Sequence, residues 1–136
     1  MGRIANKRRA GRTRRGAEVL ELSIVLMLFL LINWSIFEFG RMMMVQEIIT
    51  NGAREGARHG VVVGGNNAQA LATIDTYLTN SGISGYTRTI TPSIDTTARG
   101  DTFKVNVSVP FTAVDWGIMM WLSDNTLVAE VEMRKE

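Results

Sequence analysis

The sequence predicts an α+β protein in which one long N-terminal transmembrane helix extends into a small head, with a second helix and an antiparallel sheet of about three strands. Three observations predict this fold. A basic leader precedes an apolar run, helical periodicity continues past that run, and stretches of alternating apolar and polar residues follow. We expect a leader over 1–16, a transmembrane helix over 17–39, its extracytoplasmic continuation over 40–63 and the head over 64–136.

Charge is distributed unevenly along the chain. Residues 1–16 hold seven basic residues and no acidic one, whereas the rest has eight basic and thirteen acidic residues, a formal net charge of −5. Little basic charge remains there to neutralise phosphates, so nucleic-acid binding is disfavoured. The chain has no cysteine and one histidine, His59, which excludes a thiolate metal site and a histidine-based triad. With its aspartates scattered, the sequence predicts no enzyme, no metal site and no cofactor.

The apolar run is long enough to cross a membrane. Residues 17–37 number 21, and at about 1.5 Å per residue they match a hydrocarbon core of about 30 Å. Trp34, Phe37 and Phe39 lie where an aromatic belt belongs, and the basic leader keeps the N-terminus on the cytoplasmic side. A retained span is favoured over a cleaved secretory peptide, because the run is long and lacks a small-x-small cleavage site.

Glu21 is the exception within this run. A carboxylate costs about 2.5–3.5 kcal/mol at the bilayer centre and less near an interface. One interpretation is that Glu21 lies a turn inside the membrane and reaches the headgroups. Another is that it has a partner charge. Cutting the chain after Gly16 would create an ammonium group on Ala17, four residues from Glu21, and an amine on a neighbouring subunit is an equal alternative.

The basic leader, Gly16, the small residue Ala17, Glu21 at the fifth position after that glycine and the apolar helix together resemble a type IV prepilin. Two further segments closely resemble the TadE-like pseudopilins of the tight-adherence (Flp) pilus system; they are Phe37-Glu38-Phe39-Gly40-Arg41 and Thr50-Asn51-Gly52-Ala53-Arg54-Glu55-Gly56-Ala57-Arg58. The resemblance covers the first half of the chain. The sequence departs from it at residues 51–53, where a run of small residues led by alanine is expected, and at the methionines 42–44.

The resemblance implies a single-pass protein of the bacterial cytoplasmic membrane with a pilin-like head outside. It implies that a prepilin peptidase cleaves the Gly16–Ala17 bond and that Glu21 neutralises the N-terminal amine of an adjacent subunit. The implied partners are membrane lipid, the peptidase, other pilin or pseudopilin subunits and the Tad assembly platform. The implied function is that of a minor pilin or pseudopilin supporting assembly of a Flp-type pilus, within the fibre or at its base. The alternative is a permanently anchored extracytoplasmic binding or scaffold protein.

Beyond the membrane, Gly52, Gly56 and Gly60 recur every four residues and share one helix face. Each glycine lowers the stability of the helix by about 1 kcal/mol relative to alanine. Close packing of another backbone against the glycine face can offset this loss. The predicted partner is the protein's own sheet or a neighbouring subunit's helix. A helix continuing to Val63 is favoured over one that ends near Gly52, because the helical period persists. We expect the charge pairs Glu38/Arg41 and Glu55/Arg58 on a solvated face.

The head begins with Gly64-Gly65-Asn66-Asn67, and Asn66 or Asn67 is expected to cap a second helix over 68–80. Strands are expected over 86–94, 102–111 and 127–134, and Pro92 marks the first as an edge strand or a short one. The second alternates most clearly, and its apolar residues are Phe103, Val105, Val107, Val109 and Phe111. For the apolar connection over 114–122, a short helix completing the core is favoured over a contact patch.

Overall fold

The computed structural model describes residues 10–113 and 125–136, and of residues 10–15 only the helical backbone. The elements are α1 (Ala10–Val61), α2 (Asn67–Asn80), β1 (Thr87–Thr91), β2 (Thr102–Pro110), a short 3-10 turn (Phe111–Ala113) and β3 (Thr126–Arg134). The α+β class with a long first helix, a second helix and a three-stranded antiparallel sheet is confirmed. The predictions for most of the leader and for 114–122 lie outside the described residues.

The chain forms two compact units, Met1–Phe39 and Gly40–Glu136. In the described part of the first unit, α1 exposes its large apolar side chains from Val19 to Phe39. The helix over Gly16–Val61 contains a stretch with a mean hydropathy of 2.2, none of it buried by protein, that is long and apolar enough to cross a membrane. Apolar surface of this extent is stable in lipid and costly in water.

Helix α1 continues through its glycines, as predicted, and ends at Val61, two residues earlier than expected. The chain reverses at Gly64, whose φ of +86° belongs to the left-handed region that favours glycine. The N–H of Gly65 then donates to the Val62 carbonyl at 2.8 Å. The break expected at the start of the head therefore lies at the expected glycines.

Helix α2 begins where the sequence predicts. The side-chain oxygen of Asn66 accepts the N–H of Gln69 at 2.8 Å and so caps the first turn. Its buried face consists of Ala70, Ile74 and Leu78, four residues apart. The predicted face included Ala68 and Ala72, which are exposed, so the true face is rotated around the helix. Leu71 and Tyr77 border it and are partly buried.

The sheet has the order β1-β2-β3, and both pairs are antiparallel. Central strand β2 buries the predicted residues Phe103, Val105, Val107 and Val109 completely. Strand β1 is both an edge strand and a short one, the two alternatives that Pro92 suggested, and it spans Thr87–Thr91 within the expected 86–94. It ends at Thr91 because Pro92 has no N–H with which to continue the ladder.

The core lies between one face of the sheet and the two helices, as the apolar faces predict. Besides the central strand, it contains one stripe from the outer half of α1 and one from α2; these residues are Val45, Ile49, Ala53, Ala57, Ala70, Ile74 and Leu78. The two helices therefore cover the same face of the sheet. This gives the head two layers around one core.

An ion pair joins α2 to β1. Asp75 accepts from the Arg88 guanidinium through one carboxylate oxygen and from the Tyr86 hydroxyl, at 2.9 Å, through the other. Arg88 lies on the side of β1 that also carries Ile90, and both side chains of the ion pair are about one third exposed, 33% and 35%. A charged side chain can occupy this position because the carboxylate from α2 reaches it.

Residues 134–136 connect several segments at the end of the head where α1 terminates. The Lys135 ammonium is partly buried and donates to the carbonyls of Ile94 at 2.6 Å and Thr97 at 3.0 Å. Arg134 Nε donates to the Gly100 carbonyl at 2.6 Å. The N–H of Glu136 donates to the Val61 carbonyl at the end of α1 at 3.3 Å. Three consecutive residues thus connect the β1–β2 loop, β3 and α1.

The Lys135→Met variant tests this connection. It keeps an apolar side chain of similar length but removes the ammonium, which leaves two loop carbonyls without their charged donor. We expect the free energy of unfolding to fall by about 1–3 kcal/mol, measured by urea unfolding of the full chain in detergent micelles. Lys104→Met is the control, because Lys104 is exposed and its ammonium contacts two surface carboxylates rather than loop carbonyls. Equal losses in the two variants would contradict the connecting role.

Candidate assembly surface

Most polar side chains in the apolar run are satisfied within α1 itself. Ser23 Oγ donates to the Val19 carbonyl at 2.7 Å, and Ser35 Oγ donates to that of Leu31 at 2.9 Å. Asn33 Nδ2 donates to the carbonyl of Phe29 at 2.8 Å. Each uses the carbonyl four residues earlier, the usual solution for a short polar side chain in a helix without water.

Glu21 has no such solution. An ionised carboxylate only accepts hydrogen bonds, so it cannot use a helical carbonyl. Its side chain is exposed, and within the described part of the chain it makes neither a hydrogen bond nor an ion pair. If it lies in lipid, a donor or a cation must come from outside the described residues.

Gly16 and Ala17 lie inside α1, which begins six residues earlier, at Ala10. A side chain at Gly16 would meet nothing within 4 Å. Gly16 is therefore not required for packing within the described structure. Its physical effect is local, because glycine weakens a helix at its position by about 1 kcal/mol relative to alanine.

The three glycines of the outer stripe face other parts of the head at close range. A Cβ at Gly52 would lie 3.2 Å from Tyr77 Cδ1 and 3.3 Å from Leu78 Cδ2. At Gly56 it would meet Ile74, with Cδ1 at 2.7 Å, and the Ala70 carbonyl oxygen at 3.1 Å. At Gly60 it would lie 2.5 Å from Ile94 Cδ1 and 3.0 Å from Phe103 Cζ.

The sequence suggested the protein's own sheet or a neighbouring subunit's helix as the partner of this stripe. Gly60 reaches the sheet, through Phe103, whereas Gly52 and Gly56 contact helix α2 of the same chain, which the sequence did not suggest. The physical reason is that α1 and α2 share one face of a narrow sheet and must lie close together. The period of the stripe predicts a close neighbour, but it carries no information about which element that neighbour is.

The opposite face of α1 is polar and exposed between residues 47 and 58. It carries Glu47, Asn51, Arg54 and Arg58, which all point away from the core. The expected pairing of Glu55 with Arg58 is not formed; Glu55 contacts His59 Nε2 at 3.7 Å. Sequence reasoning paired each charge with its nearest opposite neighbour and overlooked the longer stripe.

Glu38 departs from expectation. It was predicted on a solvated face, but it is only 3% exposed. Its position on the helix explains this burial, because it continues the stripe of Val45 and Ile49, which lie seven and eleven residues further along. Spacing from the buried residues, rather than charge, would have predicted its side of the helix.

The outer face of the sheet carries a small charge cluster. Lys104 Nζ donates to Glu130 Oε1 at 2.7 Å and lies 3.9 Å from Glu132 Oε2. The hydrogen bond to Glu130, together with the charges of Glu130 and Glu132, raises the pKa of the Lys104 ammonium. Among residues 10–113 and 125–136, no group of three or more histidines or carboxylates could hold a metal ion.

Comparison with known proteins finds a family model that matches part of the chain. Residues 16–58 match the family model described as TadE-like protein. The match begins at Gly16, includes Glu21, and ends at Arg58 on the outer part of α1. Neither the curated proteins nor the solved structures contain a match to the chain. The family resemblance seen in the sequence is therefore confirmed over the N-terminal helix.

Two glycine-to-alanine variants test the close approach of α1 to α2. Gly56→Ala would place a methyl group against Ile74 and the Ala70 carbonyl, so we expect it to destabilise the head by about 1–3 kcal/mol. Gly40→Ala is the control, because a side chain there meets nothing within 4 Å. It should stabilise the helix by about 1 kcal/mol or less. Urea unfolding of the full chain in micelles measures both, and a neutral Gly56→Ala would contradict the packing role.

Proposed function

We propose that this chain, a TadE-like protein over residues 16–58 and hence a Tad pilus-associated protein, acts as a minor pilin or pseudopilin that supports assembly of a Flp-type pilus. A prepilin peptidase would process it at Gly16–Ala17, and it would act through packing rather than through chemistry. The single observation that carries the proposal is Glu21. Within the region of the family match, it is a carboxylate on an exposed apolar helix, without a donor among the described residues.

Processing would supply the missing donor. Cleavage after Gly16 leaves an ammonium group on Ala17, four residues before Glu21. A carboxylate and an ammonium that meet in a medium of low dielectric constant attract each other strongly, whereas either alone is costly there. The amine of a neighbouring subunit fits the proposal best, because this pairing then forms only when subunits associate.

Gly16 suits the proposed cleavage for a conformational reason. Its peptide bond lies in a helix, and a peptidase must reach the backbone there, so we expect local unwinding before cleavage. Glycine lowers the cost of unwinding because it contributes least to helix stability among residues other than proline. No side chain at this position would obstruct the approach of an enzyme.

The exposed apolar half of α1 has two suitable environments. In the membrane, its side chains from Val19 to Phe39 contact lipid. In an assembly, the same side chains would pack against the helices of other subunits, which removes them from water as lipid does. Under this proposal the helix of each subunit remains embedded in the membrane until it transfers into the assembly. The head remains outside throughout.

Gly16→Leu tests processing. We expect it to block cleavage, so that the membrane form keeps its original N-terminus, because a bulky branched side chain replaces the residue before the scissile bond. The measurement is N-terminal sequencing of the protein purified from membranes containing the peptidase. Gly40→Leu is the control, since Gly40 also lies in α1 without a neighbour within 4 Å; it should mature normally. A wild-type protein that begins at Met1 or Gly2 would instead indicate a permanently anchored binding protein.

Glu21→Ala tests the charge pairing. The variant should still be inserted and processed, but its recovery with the other pilus subunits should fall by about tenfold or more, because an unpaired amine would be buried on association. Co-purification with the major pilin provides the measurement. Glu18→Ala is the control, since it removes an exposed carboxylate three residues away. Equal recovery of the Glu21→Ala variant and the wild type would show that the carboxylate has no pairing role.

A further inference from the structure

The outer edge of β1 presents backbone groups without partners in the part of the chain that the structure describes. The N–H of Phe111 donates to the Asn125 carbonyl at 2.9 Å, which fixes the phase of the hydrogen bonds between β2 and β3. Residues 104, 106 and 108 of β2 therefore direct their backbone groups to β1, where they pair with residues 91, 89 and 87. The N–H and carbonyl groups of Arg88 and Ile90 consequently point away from the sheet, and no other described residue bonds to them.

The other edge of the sheet is partly occupied. The side chain of Gln46 in α1 donates at 2.9 Å to the Val128 carbonyl, which faces away from β2. Helix α2 contacts β1 and the residues before it through side chains instead, since Asp75 accepts from Tyr86 and Arg88. Of the two edges, the one at β1 therefore offers the freer backbone.

The layer of two helices is wider than the sheet that it covers. Two helices of about 10 Å diameter with axes about 8–10 Å apart span about 18–20 Å. Three strands at a spacing of about 4.8 Å span about 14 Å, and four would span about 19 Å. An added strand beside β1 would match the width of the helices. An open groove of about 650 Å³ lies at the beginning of β1, and its lining includes Asp75 and Thr79 of α2 together with Ser84, Tyr86 and Arg88.

Hydrogen-bond donors outnumber acceptors in this groove. Both carboxylate oxygens of Asp75 are occupied, one by the Arg88 guanidinium and the other by the Tyr86 hydroxyl. A guanidinium carries five N–H donors, and Nε of Arg88 is enclosed without an acceptor among the described residues. Enclosed donors of this kind cost stability until an acceptor is supplied. A carboxylate brought beside Arg88 would correct the imbalance.

Ile90 adds an apolar requirement two residues along the strand. Its side chain is only partly buried against the core, as is that of Leu71 on α2. Side chains two residues apart on a strand share one face of the sheet. A segment that pairs with β1 therefore needs an apolar and an acidic side chain two residues apart. The inward-facing charge of Arg88 also discourages pairing with uniformly apolar strands, which makes the edge selective.

We propose that β1 accepts an extended segment of another polypeptide as an antiparallel fourth strand, with an apolar side chain beside Ile90 and a carboxylate beside Arg88. In antiparallel pairing, each hydrogen-bonded pair of residues exchanges two bonds, so two residues of the segment satisfy all four outward groups. The inference goes beyond the proposed function. It concerns the unit Gly40–Glu136 alone and depends neither on the membrane span nor on processing.

A second copy of β1 is a poorer occupant of this edge. Two copies joined through their β1 edges would form six strands about 29 Å wide, beneath four helices that need about 34–40 Å. Antiparallel pairing centred on Thr89 would also set Arg88 of each copy opposite Ile90 of the other. That pairing supplies no acceptor for the guanidinium.

A strand added genetically to the full chain tests the edge. Lys135 lies beside Ile94, three residues after the end of β1, because its ammonium donates to that carbonyl at 2.6 Å. A glycine–serine linker of about ten residues after Glu136 can therefore deliver the segment Thr-Ile-Thr-Glu-Thr antiparallel to β1. Its isoleucine then lies beside Ile90 and its glutamate beside Arg88. The tether raises the effective concentration to about the millimolar range, so that weak pairing is measurable.

The measurement is amide hydrogen exchange of the full chain in micelles, followed residue by residue by NMR. The extension should slow exchange of the Arg88 and Ile90 N–H groups by about tenfold or more. Exchange at Thr89, which is paired with Asn106 of β2, should stay unchanged. The control extension Thr-Glu-Thr-Ile-Thr interchanges the two side chains, and it should slow exchange by less than about twofold.

Arg88→Met tests the requirement for an acidic side chain. It keeps an apolar stem but removes the guanidinium, so the extension with glutamate at this position should lose its advantage. The control extension, which places its isoleucine there, should then protect the edge at least as well. Protection at Thr89 reports whether the sheet of the variant remains intact.

Two outcomes would overturn the proposal. Equal protection by the two extensions in the original chain would refute the acidic requirement. Arg88 and Ile90 N–H groups that are as well protected as Thr89 without any extension would show that the edge is already covered. Loss of that protection on dilution would then identify a second copy as the cover, and its persistence would identify the chain's own residues.

Discussion

The close approach of α1 to α2 is the constraint on which the head depends. Strands lie about 4.8 Å apart, so three of them give a narrow platform, whereas two packed helices need about 8–10 Å between their axes. Both helices bury their apolar faces on this platform only if little separates them. Gly56 meets that requirement, because Ile74 occupies the space that its side chain would take.

Local patterns predicted much of the fold. Strand β2 follows strict alternation, and Asn66 caps α2 as its position beside glycines suggests. The predicted buried face of α2 was wrong in its alanines, because alanine is small enough to lie on either side of a helix. Contact with α1 determines that Ala70, rather than Ala68 or Ala72, is buried. Lys135 could not be foreseen, since its carbonyl partners at Ile94 and Thr97 come together only in the finished fold.

The residues of the candidate assembly surface differ in how easily the sequence predicts them. Gly16, Ala17 and Glu21 stand out because they interrupt a simple pattern, a basic leader followed by apolar residues. The stripe of Glu47, Arg54 and Arg58 does not stand out, because charged residues on an exposed helix are ordinary. Ser23 and Asn33 make the contrast clear, since hydrogen bonds within the helix satisfy both, whereas Glu21 has no hydrogen bond to any residue that the structure describes.

The links between α1 and β3 determine how the head would carry mechanical load. Gln46, in the outer part of α1, donates to the Val128 carbonyl near the beginning of β3 at 2.9 Å, and the N–H of Glu136, just after β3, donates to the carbonyl of Val61 at the end of α1. The helix and the strand therefore run in the same direction. A pull on α1 toward its N-terminus would load these links together, in shear, rather than opening them one after another. Such a geometry resists traction along the helix better than it resists peeling.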